Sequence, residues 1–174
     1  MEKIIGYKFL TSNMKSRHGN ITWKLGEWQK HKGKIKLCEL GFHAYQEPRD
    51  AFINYIYGER FFIVEARGKV KTDQDMFVAS EMRLIREVNL KKVSVEWAVY
   101  CAKQALKIYR KKYPNDDRPR KAVEAAALAA LAASWAASAA VWAGWAAGDA
   151  EAAGVPLKKQ NTQLKKIIKK WLIE

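Results

Sequence analysis

The hydrophobic period of this sequence changes at Asn89, and that switch constrains the fold more than any other feature. Before it, bulky residues alternate with polar ones or gather in short apolar runs, the pattern of strands buried on one or both faces. After it, Val95, Val99, Ala102, Leu106, Tyr109 and Tyr113 recur at helical spacing. Strands followed by helices read as an α+β chain. The expectation is a small, mainly antiparallel sheet unit with one short helix over residues 1–90. A helical hairpin or bundle of three or more helices, packed against it, is expected over residues 91–174. The 174 residues suit one ordinary domain or two small ones, and the 49% hydrophobic content supports a real core.

Within the first half, strands are expected at residues 4–10, 21–28, 35–40, 61–66 and 77–88. The 21–28 stretch alternates bulky and polar residues, Gly41 breaks the third strand, and the Phe61–Ala66 run ends near Gly68. Residues 11–20 read as a polar loop, and His31-Lys32-Gly33-Lys34 as a basic turn. Pro48 opens a short helix over residues 49–55, because proline suits a first helical turn.

In the second half a helix spans residues 93–113 and stops at Pro114, since the residue before a proline disfavours helical angles. Asp116 or Asp117 then caps the next helix, with Arg118 and Pro119 in its opening turn. Residues 122–147 contain 15 alanines, and Leu128, Leu131, Trp135, Ser138, Trp142 and Trp145 step by three and four along one face. Such a seam packs against a neighbouring helix or against a second copy of the chain in a homodimer. The 24 uncharged residues 125–148 also have the length of a membrane span. Alanine contributes little to insertion, however, and Trp135 and Trp142 would lie away from the interfaces that tryptophan prefers, so packing within protein is expected. A last amphipathic helix is expected at residues 157–173. Leu164, Ile167, Ile168, Trp171 and Leu172 form its apolar side, and Lys158, Lys159, Lys165, Lys166, Lys169 and Lys170 the other.

Charge bears on partners. The formal net charge is +14. Residues 1–90 hold 16 basic and 11 acidic side chains, against 16 and 7 in residues 91–174, so the excess concentrates in the helical half. Such a surface favours an acidic protein, a protein–nucleic-acid complex, nucleic acid itself or an anionic membrane surface. The six lysines of the last helix are the candidate contacts, and they would hold phosphates without reading bases. Two cysteines, Cys38 and Cys101, without a C-x-x-C pair, fit reduced thiols. The first residues lack the apolar run of a signal peptide, which points to a cytoplasmic setting.

Catalytic and cofactor motifs are missing: no phosphate-binding glycine loop, no dinucleotide fingerprint, no zinc-protease H-E-x-x-H and no nucleophile elbow occur. Cys38 and His43 are a conceivable thiol–base pair, but no third orienting group stands near them in the sequence. Neither a metal nor a cofactor is expected.

Two stretches resemble known families. Cys38-Glu39-Leu40-Gly41-Phe42-His43, with Glu47-Pro48-Arg49-Asp50-Ala51 and Val64-Glu65-Ala66-Arg67-Gly68 after it, resembles an uncharacterised domain of phage and prophage proteins. That resemblance covers about the first half and implies a mobile-element origin. Tyr113-Pro114-Asn115-Asp116-Asp117-Arg118-Pro119-Arg120 and the alanine-rich stretch after it are similar to helical immunity proteins of bacterial toxin systems. These residues read as architecture, so no toxin-binding site is carried over from them, and a basic inhibitor departs from the acidic charge that a basic nuclease would call for. Gly41-Phe42-His43-Ala44 and the strand at 61–66 loosely resemble the core of ADP-ribosyltransferase-like folds, in which His43, Tyr45, Tyr55 and Glu65 would be the candidate site. The leading expectation is a non-catalytic, basic interaction protein of phage origin that blocks an acidic or nucleic-acid-bearing host partner. Toxin immunity through the helical half, ADP-ribosyl transfer and generic nucleic-acid binding are the alternatives.

Overall fold

A computed structural model describes residues 3–54, 58–115 and 154–173. Its elements in chain order are β1 (Ile4–Leu10), β2 (Gln29–Lys30), β3 (Phe42–Tyr45), α1 (Pro48–Asn54), β4 (Arg60–Thr72), β5 (Met76–Val88), α2 (Leu90–Lys112) and α3 (Leu157–Lys170). All strand pairings are antiparallel, so the chain is α+β as its periodicity implies.

The long β4–β5 hairpin organises the sheet. β1 pairs along β4 from Ile4↔Ala66 to Leu10↔Arg60, and β3 pairs along β5 from Phe42↔Ala79 to Tyr45↔Met76. The Tyr7↔Tyr45 pair joins β1 to β3, which closes β5, β3, β1 and β4 into a ring, and β2 extends β5 on the outside. Alternation along each strand then separates two apolar clusters. Leu10, Phe42, Phe62, Val64, Phe77, Met82 and Leu84 surround Trp23 in one. Tyr7, Phe9, Phe61 and Val88 face the other way and pack with Phe52 of α1, Trp97 of α2 and Leu164 of α3.

Three expected strands change form. Residues 21–28 make only isolated bridges, at Thr22 to Lys15 and at Leu25 to Leu84. Trp23 is driven into the core, where its Nε1–H donates to Ser16 Oγ at 3.0 Å, and Gly26 turns the chain with φ 80° before β2 begins. Residues 35–40 are a turn closed by Lys36 and Leu40, with Cys38 at φ 62°. The chain becomes a strand only after Gly41, so the break and the strand exchange places. β4 does not end near Gly68 but bulges there and continues to Thr72.

The helices follow the apolar pattern. Asn89 Oδ1 accepts from the Lys92 backbone N–H at 3.1 Å and so opens α2 three residues earlier than expected. α3 buries Leu164, Ile167 and Ile168 and stops at Lys170, short of the expected 173. Residues 171–173 instead turn back onto the end of β5: Asn89 N–H donates to Trp171 O, Leu172 bridges Val88, and Ile173 N–H donates to Glu87 O. Asp116, Asp117, Arg118 and Pro119, the seam Leu128, Leu131, Trp135, Trp142 and Trp145, and the uncharged stretch 125–148 lie outside the described residues. Among the described residues no helix is long and apolar enough to cross a membrane.

Candidate partner-binding surface

A surface that binds through charge needs cations not already matched by neighbouring carboxylates. On the sheet the cations divide: Arg60, Arg67 and Arg83 are matched, whereas Lys69, Lys71 and Arg86 have no ion pair among the described residues. Arg60 makes a bidentate pair with Glu87, Arg67 reaches Glu81 at 2.8 Å, and Arg83 and Lys3 share Glu65. The hydrogen bond from Lys3, with Arg83 behind it, holds the Glu65 carboxyl below its ordinary range. Trp28 lies against the Arg67 and Arg83 guanidiniums, 3.9 and 4.9 Å from its ring centroid. These groups fasten strands to one another.

The six lysines of α3 divide by task. Lys165 pairs with Glu47 at 2.7 Å and Lys170 with Glu96 at 2.9 Å. Burial pushes the Glu96 carboxyl up, but the hydrogen bonds from Lys170 and from Trp171 Nε1 outweigh it, and the group ends below its usual value. Both lysines therefore dock α3 on the fold. Lys159 donates to Gln104 Oε1 of α2 at 3.2 Å. Among the described residues, Lys158, Lys166 and Lys169 are exposed and have no carboxylate partner.

Lys158, Lys159 and Lys166 line a groove of about 560 Å³ between α2 and α3, with Tyr100, Pro156, Thr162 and Gln163. Beneath it, α3 is locked to α1. The buried Arg49 donates through Nε to Gln160 Oε1 at 3.1 Å, and its backbone N–H donates to Asn161 Oδ1 at 3.2 Å. Gln160 Nε2 in turn donates to Val155 O at 3.1 Å. Past Cys101, α2 rises out of the core and shows Ile108 at its surface, while Tyr113 and Pro114 beyond its end are also exposed.

The other candidate constellations are placed as follows. His43 and Tyr45 line one cavity together, whereas Glu65 is not among its lining residues, and Tyr55 lies outside the described residues. The ADP-ribosyltransferase-like set is therefore not assembled among the described residues. Cys38 lines the same cavity as His43, but its thiol donates to Met76 Sδ at 4.0 Å. Burial, then the charge of Lys8, holds the His43 imidazole below its ordinary value, against hydrogen bonds to the backbone at Lys36 and Gly41. Among the described residues no cluster of three or more His, Cys, Asp or Glu side chains is placed to hold a metal ion. The cavity itself escaped sequence reasoning, because loops far apart in the chain build it.

No curated protein and no solved structure matches this chain. The family model described as "Imm-5 like putative immunity protein" matches residues 85–141, from the end of β5 through α2 and beyond it. A second model, described as "Domain of unknown function (DUF7666)", matches residues 4–96, which take in β1 through β5 and the start of α2. That match spans more than half of the 174 residues, and the chain belongs to the DUF7666 family.

Proposed function

We propose that this chain is a non-catalytic binding protein of the immunity type, which neutralises a protein toxin by occupying it. The observation that carries this reading is the match of residues 85–141 to the immunity family, because it falls on the helical half. In this reading the unit of residues 1–90 is the platform, and residues 91–174 supply the binding surface. The groove lined by Lys158, Lys159 and Lys166 faces an acidic patch of the toxin, and charge of one sign steers the encounter. Ile108, farther along α2, and Tyr113, just past its end, add exposed apolar area.

The test is affinity capture with the full chain from its natural host, with a nuclease-treated arm in parallel. A captured polypeptide that arrests growth when expressed alone, and is relieved by co-expression of the chain, supports the reading. Reversing Lys158, Lys159 and Lys166 to Glu together should weaken that capture about tenfold or more at low salt. Failure to capture any toxic polypeptide rejects immunity. Undiminished capture by the triple variant rejects the groove as the contact surface.

A second reading draws on the unpaired lysines and the resemblance of the N-terminal half to phage proteins: a mobile-element protein that blocks an acidic or nucleic-acid-bearing host complex. Capture that disappears on nuclease treatment favours it, and steep salt dependence is then expected.

A further inference from the structure

Lys8 stands where the strand pattern calls for an apolar side chain. On β1, Ile4, Gly6 and Leu10 face the cluster around Trp23, and Lys8 shares their side. A lysine on an inward face usually carries its ammonium out to water along its own stem. This ammonium instead donates to the His43 carbonyl at 2.7 Å and lies 5.3 Å from the centroid of the Trp23 ring. Among the described residues no carboxylate pairs with it. Keeping an unmatched cation in such surroundings costs stability, so a fold that retains one has a use for it.

Lys8 also lines a cavity of about 590 Å³, a size that suits a small organic ligand. The electrostatics of its walls favour a negative guest. Lys8 is joined on the lining by ring nitrogens of His18, His31 and His43 that can donate hydrogen bonds, with Arg17 also there and Glu39 as the lining carboxylate among the described residues. Glu39 is itself paired with Lys36. Trp23, Phe42 and Met76 supply apolar wall, and the phenols of Tyr7 and Tyr45 and the Cys38 thiol complete the titratable groups facing the space. One turn shapes the rim. Gly41, at φ 110°, brings the backbone so close to Val78 that a Cβ there would sit 2.7 Å from its methyl carbon.

We propose that this cavity binds a small organic oxyanion, a carboxylate or phosphate carried on an apolar or aromatic body, with the Lys8 ammonium receiving the oxyanion and Trp23, Phe42 and Tyr45 walling the body. The site is separate from the lysine groove of α3 and draws on none of its residues. Carboxylate and phosphate share the chemistry that Lys8 recognises, and the probes tell them apart.

The experiment is calorimetric titration of the full chain at pH 7 with benzoate, phenyl phosphate and inorganic phosphate. At least one of the two aryl anions should bind saturably, one per chain, and more tightly than inorganic phosphate. Lys8→Met should weaken it about tenfold or more, while Lys166→Glu, in the other groove, should change it less than about twofold. A pH series on the Cys38→Ser protein, in which that thiol is silent, needs no change at Lys8. Burial pulls the Lys8 ammonium down to about 8, so affinity should fall as pH rises from 7 to 9. Burial, then the charge of Lys8, holds the His43 imidazole below its ordinary value, on the acid side of that window. If neither aryl anion binds at about 10 mM, or if binding survives Lys8→Met, or if Lys166→Glu weakens it equally, the proposal fails. Should Lys8→Met not fold, an affinity flat from pH 7 to 9 overturns it alone.

Discussion

Single residues in this fold carry costs that can be weighed. Burial alone lowers Lys8 from its ordinary 10.5 to about 8. Below pH 8 both the folded and the unfolded chain hold the proton, so the folded state bears the full desolvation cost, on the order of 3 kcal/mol by linkage. Between pH 8 and 10.5 the unfolded chain binds more protons than the folded one, and stability climbs with pH. Above that window the cost is gone. Lys8→Met removes the charge but leaves the His43 carbonyl without its donor, a loss of about 1 kcal/mol. The variant should therefore be stabilised by roughly 1–2 kcal/mol at pH 7, with the gain shrinking as pH approaches 10. Urea unfolding at pH 7 and pH 10 checks this, and a variant less stable than the parent at pH 7 would contradict the account. Stability gained together with lost anion binding would mark Lys8 as a residue kept for use.

At the scale of elements, the chain showed its long regular pieces in sequence and hid the short ones. β5 and α3 were legible because each is long enough to show its own period: Met82 and Leu84 alternate inward on β5, and Leu164, Ile167 and Ile168 share one face of α3. β3 was not legible, since four residues after a glycine give too few alternations to distinguish a strand from a turn. Residues 21–28 alternate like a strand, yet Trp23 has no strand opposite it and fills the space inside the closed sheet instead. The lysine face of α3 was legible as a spacing, but its division was not. Glu47 and Glu96, which engage Lys165 and Lys170, are distant in sequence and meet α3 only through packing. The extent of β4 turned on one residue. Gly68 sits in the bulge at φ 82°, and a Cβ there would overlap Ser80 Oγ, which already accepts from the Lys69 backbone N–H at 2.9 Å. Gly68→Ala should cost about 1–3 kcal/mol, combining left-handed strain with the displaced hydroxyl. Denaturant unfolding measures it, and a neutral result would show that the hairpin can continue without the bulge.

For the whole molecule, the decisive fact is that the helices share their core with the sheet. Leu164 of α3 and Trp97 of α2 lie in one cluster with Phe9 of β1, Phe52 of α1 and Phe61 of β4, and none of these side chains is more than 3% exposed. The Arg49–Gln160 bond and the bridge from Leu172 to Val88 tie the same elements from either side. Two halves that differ in sequence pattern therefore need not be two units in stability. Leu164→Ala tests this, because it opens the shared cluster from the helical side and should cost about 2–5 kcal/mol. If the cluster is one cooperative unit, the far-ultraviolet signal of the sheet and the near-ultraviolet signal of the tryptophans should shift together to a lower midpoint. If α3 instead melts first while the sheet signal stays at the parental midpoint, the halves are independent and the cluster is only a contact. The outcome bears on function through position. The lysine groove exists only while α3 lies beside α2, and the ties of α3 to α1 and to the end of β5 help to hold it there. Partner binding in the Leu164→Ala protein should therefore fall in step with the folded fraction, as the midpoint is crossed, and not through any direct contact of Leu164.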